Sequence, residues 1–586
     1  MGDKWKQGVG GAVGGVVAAG AALGVGYLAS AVTGGPWPVD AVGVQVIDWA
    51  PGPVKDFAVR ELGTADRPLL RFGICVVLAL VAGVAGAIGR RRPRVAVVIA
   101  FLLGLVGLVF AVLSRSAAAG VAERFLPAIV TLVVAVVAMA LVVRAQQQPD
   151  RPNTAQQQPD RPTSEQEQPE RSTTAPEQLD RPEGEQEQLD RPTSEQEEPD
   201  RPTGEREQPE GFDRRRFLVT VSGLAVVGAG AFATTQIASF GTGEAARAKV
   251  RVPRPQELAR PVPAGAQVDV PGVSRFVTPN SKFYRVDTLL EVPRIDPDDW
   301  ELRVHGMVEN ELRLSFADLL DRRLIERDIT LTCVSNEVGG PYVGNARWIG
   351  VPLADILAEA GVRTGAGTRN GAGAPNGAGA RKGARDGADA VKSTSIDGLT
   401  IGTPLSALTD GRDAILAVAM NGEPLPFEHG FPVRMVVPGL YGYVSATKWV
   451  VDLEVTRFQD FSAYWTDRGW AVEAPIKTSS RIDVPRGFAT VKAGPAIAAG
   501  VAWAQHRGIA KVEVRVDDGP WQPAVLAAED SIDTWRQWRF RWTATPGTHK
   551  LTVRATDADG NVQSAASAPP RPNGSSGLHN TVVMVD

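Results

Sequence analysis

Cysteine is the scarcest residue able to do covalent or redox chemistry in this chain of 586 residues, which has two, Cys75 and Cys333. Two thiols exclude a disulfide scaffold and any CxxC…CxxC zinc site. Cys75 sits in an apolar run and reads as a small apolar side chain. Cys333 sits in ITLTCVSNEVGG (329–340), where 329–331 reads as a short buried strand and Gly339 with Gly340 as a loop. A lone thiol at a strand end can be apolar filler, a nucleophile, or a thiolate ligand to a soft metal. Nucleophilic catalysis requires an imidazole base, and only His305 and His429 fall in the same part of the chain. Residue types alone leave all three chemistries open.

The elements that must carry this thiol are unevenly composed. Averages of 44% hydrophobic and 22% charged residues with a net charge of −4 suggest an ordinary soluble protein. Residues 145–211, however, hold 18 Asp/Glu against 7 Lys/Arg, which leaves +7 on the remainder. The length suggests about four structural units at ~150 residues each. Thirteen Trp and 18 Phe can build a core and exclude a collagen-like or wholly disordered chain.

Four apolar stretches, 9–32, 72–88, 95–113 and 127–143, approach the ~20 residues that a bilayer-crossing helix requires. They predict an all-α transmembrane bundle of four helices over 1–144. The stretch 95–113 has no charge on any face, which a soluble amphipathic helix would not tolerate. Lys4 and Lys6, then Arg90, Arg91, Arg92 and Arg94, then Arg144 assign the amino terminus, the second loop and the exit of the fourth span to the cytoplasm. No histidine precedes His305, so these helices offer no imidazole to a b-type haem. The spans hold no Asp or Glu to mark an ion path, which favours an anchor or a docking surface over a transporter.

From 146 a polar ten-residue unit repeats (QQQPDRPNTA, QQQPDRPTSE, QEQPERSTTA and onward), and its regular Pro prevents helix propagation. The region 145–211 therefore reads as a solvated, disordered linker. Ten polar residues per unit could not supply a solenoid core. DRRRFLVTVSGLAVVGAGAFATTQIASF follows at 213–240, with Arg214 and Arg215 one residue ahead of Phe217 and Leu218. This resembles the twin-arginine export signal, which implies the twin-arginine machinery as a partner; a plain fifth transmembrane helix is the competing reading. Either way 212–242 is a fifth membrane segment, and everything after about 241 is expected outside the cytoplasmic membrane.

Beyond a Pro-rich connector the composition becomes globular. Residues 413–449 read DAILAVAMNGEPLPFEHGFPVRMVVPGLYGYVSATKW, and TPNSKFYRVD (278–287), LTC (331–333), RWIGVPL (347–353) and DGLTIGTPL (397–405) precede them or fall between. In this order the strings resemble the sulfite oxidase family of molybdopterin-dependent oxidoreductases. With the carboxy-terminal region the resemblance covers about 340 residues. It implies an α+β sulfite-oxidase-type domain over 250–482 that binds Mo-molybdopterin, with Cys333 as the thiolate ligand to molybdenum. It further implies that Arg434 and Lys448 meet the pterin phosphate beside a turn carrying Ser445 and Thr447. Tyr284, Arg285 and His429 are then expected to hydrogen-bond the cofactor. The activity implied is two-electron oxygen-atom transfer.

The substrate positions depart from the family. Sulfite oxidases follow their cysteine with Ala, Gly, Asn, Arg, Arg; here Val334, Ser335, Asn336, Glu337 and Val338 retain only the Asn. The arginine of the family's FFVRN stretch aligns with Val286, next to Arg285. The family's DYKGF stretch has TDRGW (466–470) as its counterpart, with Tyr464 nearby but out of register. Each lost charge-assisted contact removes ~1.5–3 kcal/mol from an anionic substrate. The substrate is accordingly a small oxyanion or a neutral S- or N-oxide. The alternatives are a methionine-sulfoxide-type reductase of the same fold, or a non-catalytic surface-binding protein on a degenerate enzyme domain. Arg347 remains the candidate for substrate polarisation. The chain has no CxxCH and no haem-b5-like histidine pair, so no haem is expected in it, and electrons pass to or from a separate carrier.

Two further regions complete the organisation. Residues 361–390 (TGAGTRNGAGAPNGAGARKGARDGADA within them) have no hydrophobic period and form a low-complexity insertion; no preceding strand or GK[ST] supports a phosphate loop there. Residues 483–586 alternate in short stretches punctuated by DG turns and predict an all-β immunoglobulin-like sandwich. Its RVDDGPWQ and ATDADGNVQ strings resemble the family's second domain, which implies a homodimer through this region. Trp503, Trp521, Trp535, Trp538 and Trp542 are expected mainly in its core, and a carbohydrate-binding module is the alternative for exposed ones. The expected whole is a multi-pass protein of the cytoplasmic membrane with an extracytoplasmic catalytic domain and no nucleic-acid partner.

Overall fold

A computed structural model describes residues 2–51, 54, 66–114, 121–147, 214–362 and 387–586. Nearly all of the acidic repeat and residues 363–386 of the Gly-rich insertion lie outside the described residues. Ala390, counted with that insertion from sequence, begins a strand.

The apolar part has, among the described residues, the helices α1 (Gly2–Thr33), α2 (Pro38–Trp49), α3 (Asp66–Gly89), α4 (Pro93–Leu113), α5 (Val121–Gln147) and α6 (Arg214–Lys249). Five are long and apolar enough to cross a membrane, over Gly8–Thr33, Asp66–Gly89, Pro93–Leu113, Phe125–Gln147 and Arg215–Gln236. The Gly/Ala-rich α1 is the central one, packed on α3, α5 and α6. Its glycines permit this: a Cβ at Gly15 would lie 2.0 Å from the Ala82 carbonyl, and one at Gly24 would lie 2.3 Å from that of Gly228. Small residues at close helix contacts are what association in lipid favours. Phe72, Leu80, Val84 and Val227 point outward and are exposed. Two features were not anticipated. Helix α2 has 12 residues, too few to span. Helix α6 runs seven residues past the expected segment end at 242, and Arg247 fixes its last turn to the Pro424 and Leu425 carbonyls at 2.6 and 2.8 Å.

The strands of the next domain are β1 (Glu301–Gly306), β2 (Leu312–Ser315), β3 (Ile325–Thr332), β4 (Val343–Pro352), β5 (Ala390–Ser395), β6 (Thr400–Pro404), β7 (Ile415–Met420), β8 (Glu423–Pro424), β9 (Arg434–Val436) and β10 (Val450–Thr456). One sheet has the order β2-β1-β10-β5-β6, with β1 and β10 parallel. The other has the order β3-β4-β7-β8, with β9 also on β7. Strand β7 is ILAVAM, buried at every position as a strand covered on both faces should be. Leu302, Val304, Val351, Leu416, Val418 and Leu453 join both sheets in one core.

The carboxy-terminal strands are β11 (Ser479–Val484), β12 (Thr490–Val491), β13 (Gly494–Trp503), β14 (Ile509–Val516), β15 (Gln522–Pro523), β16 (Val525–Leu526), β17 (Arg536–Ala544), β18 (Gly547–Asp557) and β19 (Asn580–Val585). They form sheets β11-β13-β17-β16 and β12-β19-β18-β14-β15. Trp538 and Phe540 of one sheet share a core with Val514, Val553 and Val583 of the other. The first strand begins at Ser479, ahead of the boundary expected at 483. Trp503 and Trp535 are also buried, but in the core of the preceding domain. Trp521 lies between Arg515 and Arg554, whose guanidiniums stand 5.0 and 4.3 Å from its ring.

These two domains meet on β3. Trp535 N–H donates to the Thr330 hydroxyl at 2.8 Å, and Gln505 Nε2 donates to the Thr330 carbonyl at 3.1 Å and the Thr332 hydroxyl at 2.9 Å. Gln505 is fully buried, so Gln505→Leu strips partners from groups that water cannot reach. A loss of about 1–3 kcal/mol is expected, read as a lower urea midpoint by tryptophan fluorescence.

Candidate cofactor and substrate site

Strand β3 is buried at its last five positions and delivers Cys333 at its carboxy-terminal end. The Cys333 N–H donates to the Tyr342 carbonyl at 3.0 Å, and the Cys333 carbonyl accepts from Asn336 at 3.1 Å. Asn336 Oδ1 accepts from the Tyr342 N–H at 2.8 Å, which closes the loop. The retained Asn thus shapes the turn that presents the thiol. Burial pushes the Cys333 thiol up, while the Ser335 N–H and hydroxyl, both hydrogen-bonded to it, work the other way.

Tyr284 stacks on Phe283 with ring centroids 5.2 Å apart. Burial raises its hydroxyl far above the ordinary value, and both the Cys333 thiol and the Arg434 guanidinium act on it. The turn Gly442–Val444 lies against the same group: a Cβ at Gly442 would stand 3.8 Å from the Thr332 carbonyl and 3.9 Å from the Tyr284 hydroxyl.

His429 ends a 3-10 turn, Phe427–His429, and its Nε2 lies 3.0 Å from the Asn280 carbonyl. A carbonyl only accepts, so Nε2 carries the proton and Nδ1 is left as an acceptor. Burial, aided by the cations of Arg434 and Lys448, lowers the imidazole to about 4, which keeps it neutral.

Arg434 and Lys448 are cross-strand neighbours, and Gly430 fits between them because it has no side chain: a Cβ there would meet both at 3.0 to 3.1 Å. Arg434 is 5% exposed, donates to the His429 carbonyl at 3.2 Å and lies 5.1 Å from the Trp348 ring. No carboxylate pairs with it among the described residues, and burial lowers it to about 10. Burial likewise lowers Lys448 to about 8, against the pull of Asp287 2.8 Å away. Asp287 is the acid ion-paired in this cluster, to Lys448, Arg285 and Arg67. Burial alone would raise its carboxyl, but the three cations hold it far below the carboxylate range.

Several expectations thus converge: Cys333, Tyr284, Arg285, His429, Arg434 and Lys448 fall in one cluster of interacting groups, of which Tyr284, Arg285 and His429 line a cavity. Three do not. Arg347 is a correction: it sits opposite Asp328 in the β3/β4 register and bonds that carboxylate at 2.5 and 3.0 Å. Five residues of strand, about 16 Å at ~3.3 Å per residue, separate that position from the thiol. Ser445 and Thr447 flank the right turn, but their hydroxyls are taken up by other groups of the protein, that of Ser445 within the turn and that of Thr447 on β5. Ser445 donates to the Leu440 and Tyr441 carbonyls, each at 3.1 Å, and Thr447 bonds Ser393 at 2.6 Å. Sequence reading missed Ser335, Asp287 and Arg67. Asp287 ends the TPNSKFYRVD string and could have been weighed there; nothing in the sequence marks Arg67, 220 residues upstream of it.

A buried cation lacking an acid, a depressed lysine beside it, an imidazole acceptor and a buried thiol together suit a ligand carrying a phosphate and a soft metal. Comparison with known proteins agrees. Residues 289–465 match the family model described as oxidoreductase molybdopterin binding domain. Mitochondrial sulfite oxidase of Homo sapiens is 30% identical over 335 residues, covering 50% of this chain and 58% of that protein. Sulfite oxidase of Gallus gallus is 30% identical over 336 residues, covering 50% of this chain and 70% of that protein. The match thus spans less than two thirds of the mammalian relatives. A chain of the sulfane dehydrogenase SoxCD of Paracoccus pantotrophus is 22% identical, with a TM-score of 0.42 over 53% of this chain and 83% of that one.

Removing the acid from this cluster leaves Lys448, Arg285 and Arg67 uncompensated. Asp287→Asn is expected to destabilise by about 3–5 kcal/mol at pH 7. A carboxyl held below its ordinary range contributes fully above about pH 4 and loses that contribution as pH falls further. The deficit in urea midpoint should therefore be smaller at pH 3 than at pH 7.

Proposed function

The chain belongs to the sulfite oxidase family of molybdopterin-dependent oxidoreductases, and from that membership we propose a membrane-anchored enzyme that transfers an oxygen atom to or from a small S- or N-oxide at Cys333. The observation that carries the reading is Arg434, a buried guanidinium with no acid paired to it among the described residues, which acts together with the buried Cys333 thiol on Tyr284. Arg434 and Lys448 would hold the pterin phosphate, and His429 Nδ1 and Tyr284 would hydrogen-bond the pterin. Cys333 would ligate molybdenum as thiolate, losing its proton on binding, with the Ser335 N–H and hydroxyl stabilising the sulfur charge. When bound, the cofactor supplies the two-electron oxygen-atom chemistry. The protein orients it and sets the pocket's charge.

A neutral S- or N-oxide is favoured over sulfite because no cation is left for an anionic substrate where the family supplies one. Lys448 and Arg285 share Asp287, Arg434 is assigned to the phosphate, Arg347 lies away from the thiol on Asp328, and Val286 stands where the family has arginine. The sulfite reading keeps one support: Arg571 lines the same cavity and has no acidic partner among the described residues.

The catalytic domain lies outside the cytoplasmic membrane in this reading. Arg67 and Arg71, which contact the catalytic domain, begin α3, whereas Arg90 to Arg94 follow its far end about 35 Å away at ~1.5 Å per residue. Arg214 and Arg215 then belong to a twin-arginine-type export signal, and Phe217 of the same motif packs on Ala18, Ala138 and Val142 as a retained helix would. The carboxy-terminal pair of sheets is read as immunoglobulin-like and dimer-forming, and electrons pass to or from a separate carrier.

Metal and pterin analysis of the purified full chain should find about one molybdenum per protein, with turnover of sulfoxides or N-oxides exceeding that of sulfite with an artificial carrier. Cys333→Ala should cut turnover by more than the ~10–100-fold typical of groups that only support a metal ligand. Stoichiometric molybdenum with full turnover in Cys333→Ala would refute the assignment of the thiol.

A further inference from the structure

A single cavity of about 3040 Å³ runs from the helices into the catalytic pocket. One end is walled by Leu23, Val39, Val42, Ile74, Leu78 and Leu103, on α1 to α4. The other is walled by Tyr284, Arg285, Tyr342 and His429, of which the two tyrosines are close enough to feel the Cys333 thiol. Small-molecule sites usually measure ~300–1,000 Å³, so this space holds far more than a sulfoxide.

The helices also close that face of the catalytic domain to a protein. Arg67 is ion-paired to Asp287, three residues from Tyr284, and Arg71 to Glu291 at 3.1 Å. The Tyr464 hydroxyl and Arg468 both bond Asp48 at 2.8 Å. A Cβ at Gly43 of α2 would lie 2.4 Å from the Leu290 side chain, so helix and domain meet without a gap there. A carrier that reaches the pocket by way of the apolar walls is small, planar or flexible, and lipid-soluble.

We infer that the separate electron carrier is a quinone, seated with its tail between α1, α2, α3 and α4 and its ring toward Tyr284 and Arg285. This rests on the oxidoreductase reading above. Transfer of an oxygen atom from water to a substrate releases two electrons and two protons. A quinone takes up two of each and becomes a quinol by forming two O–H bonds, so the exchange balances without another reactant. In the reducing direction a quinol supplies both pairs. The five histidines of the chain all lie beyond residue 300, so the helices bring no imidazole-bound haem of their own to relay electrons.

Val42 and Ile74 line the apolar end, on α2 and α3, and are not among the residues assigned to the cofactor. The full chain in lipid nanodiscs, treated with a photoreactive azidoquinone, should be labelled on 38–49 and 66–89, and unlabelled quinone should compete. Val42→Trp and Ile74→Trp should each cut that labelling roughly tenfold, the effect of ~1.4 kcal/mol, and leave turnover with a water-soluble artificial carrier unchanged. Labelling that survives both substitutions, or that is uncompeted and equal on the lipid-facing side of 121–147, would overturn the inference, the latter because lipid then fills the cavity. A parent protein without molybdenum or dye-linked turnover would instead overturn the oxidoreductase reading, whatever the labelling.

Discussion

Burying a guanidinium without an acid is expensive, because its charge loses water and gains nothing in return. Arg434 is in that position, and Asp287, the acid paired to the neighbouring Lys448, is already shared with Arg285 and Arg67. Three cations on one carboxylate and a fourth with none leave the pocket with an excess of positive charge. An anion would offset that excess, as the proposed pterin phosphate would. Around this constraint the rest falls into place: Gly430 lets Arg434 and Lys448 approach, neutral His429 avoids adding a charge, and Tyr284 feels both the Arg434 guanidinium and the Cys333 thiol.

The catalytic strand is held from both sides. From the carboxy-terminal domain, Gln505 and Trp535 bond β3 just before Cys333, and Trp503 and Trp535 are buried in the catalytic core. From the helices, Arg67 reaches the Asp287 cluster. The amino-terminal region, with its helices long and apolar enough to cross a membrane, is therefore also part of the pocket's wall. A substitution at Arg67 would act on the same electrostatic cluster as one at Lys448, although the two lie in different domains.

Much of this was legible in the sequence. The five apolar helices were readable because a span needs only length and apolar composition, both local properties. The ordered strings around Cys333, His429, Arg434 and Lys448 were readable because the family motif fixes their spacing. The exceptions share a cause. Arg347 precedes Trp348 as the motif requires, yet strand register pairs it with Asp328, and register is not visible in a motif. Ser445 and Thr447 lie in the expected turn, but whether a hydroxyl faces a pocket or its own backbone depends on rotamers that spacing does not encode. The contact of Arg67 with Asp287 bridges 220 residues and leaves no local signal. Helix α2 was passed over because 12 residues fall short of a span, though its Asp40 and Asp48 turn out to meet Arg71 and Arg468.

The central claim is that the unpaired charge of Arg434 is completed by the pterin phosphate. Quantifying pterin released from the full chain and from Arg434→Met tests it most directly. Loss of a buried charge-assisted contact of ~1.5–3 kcal/mol predicts cofactor affinity lower by roughly 10–100-fold, with the variant folded and its thiol intact. Pterin retained by Arg434→Met with the affinity of the parent would contradict the account.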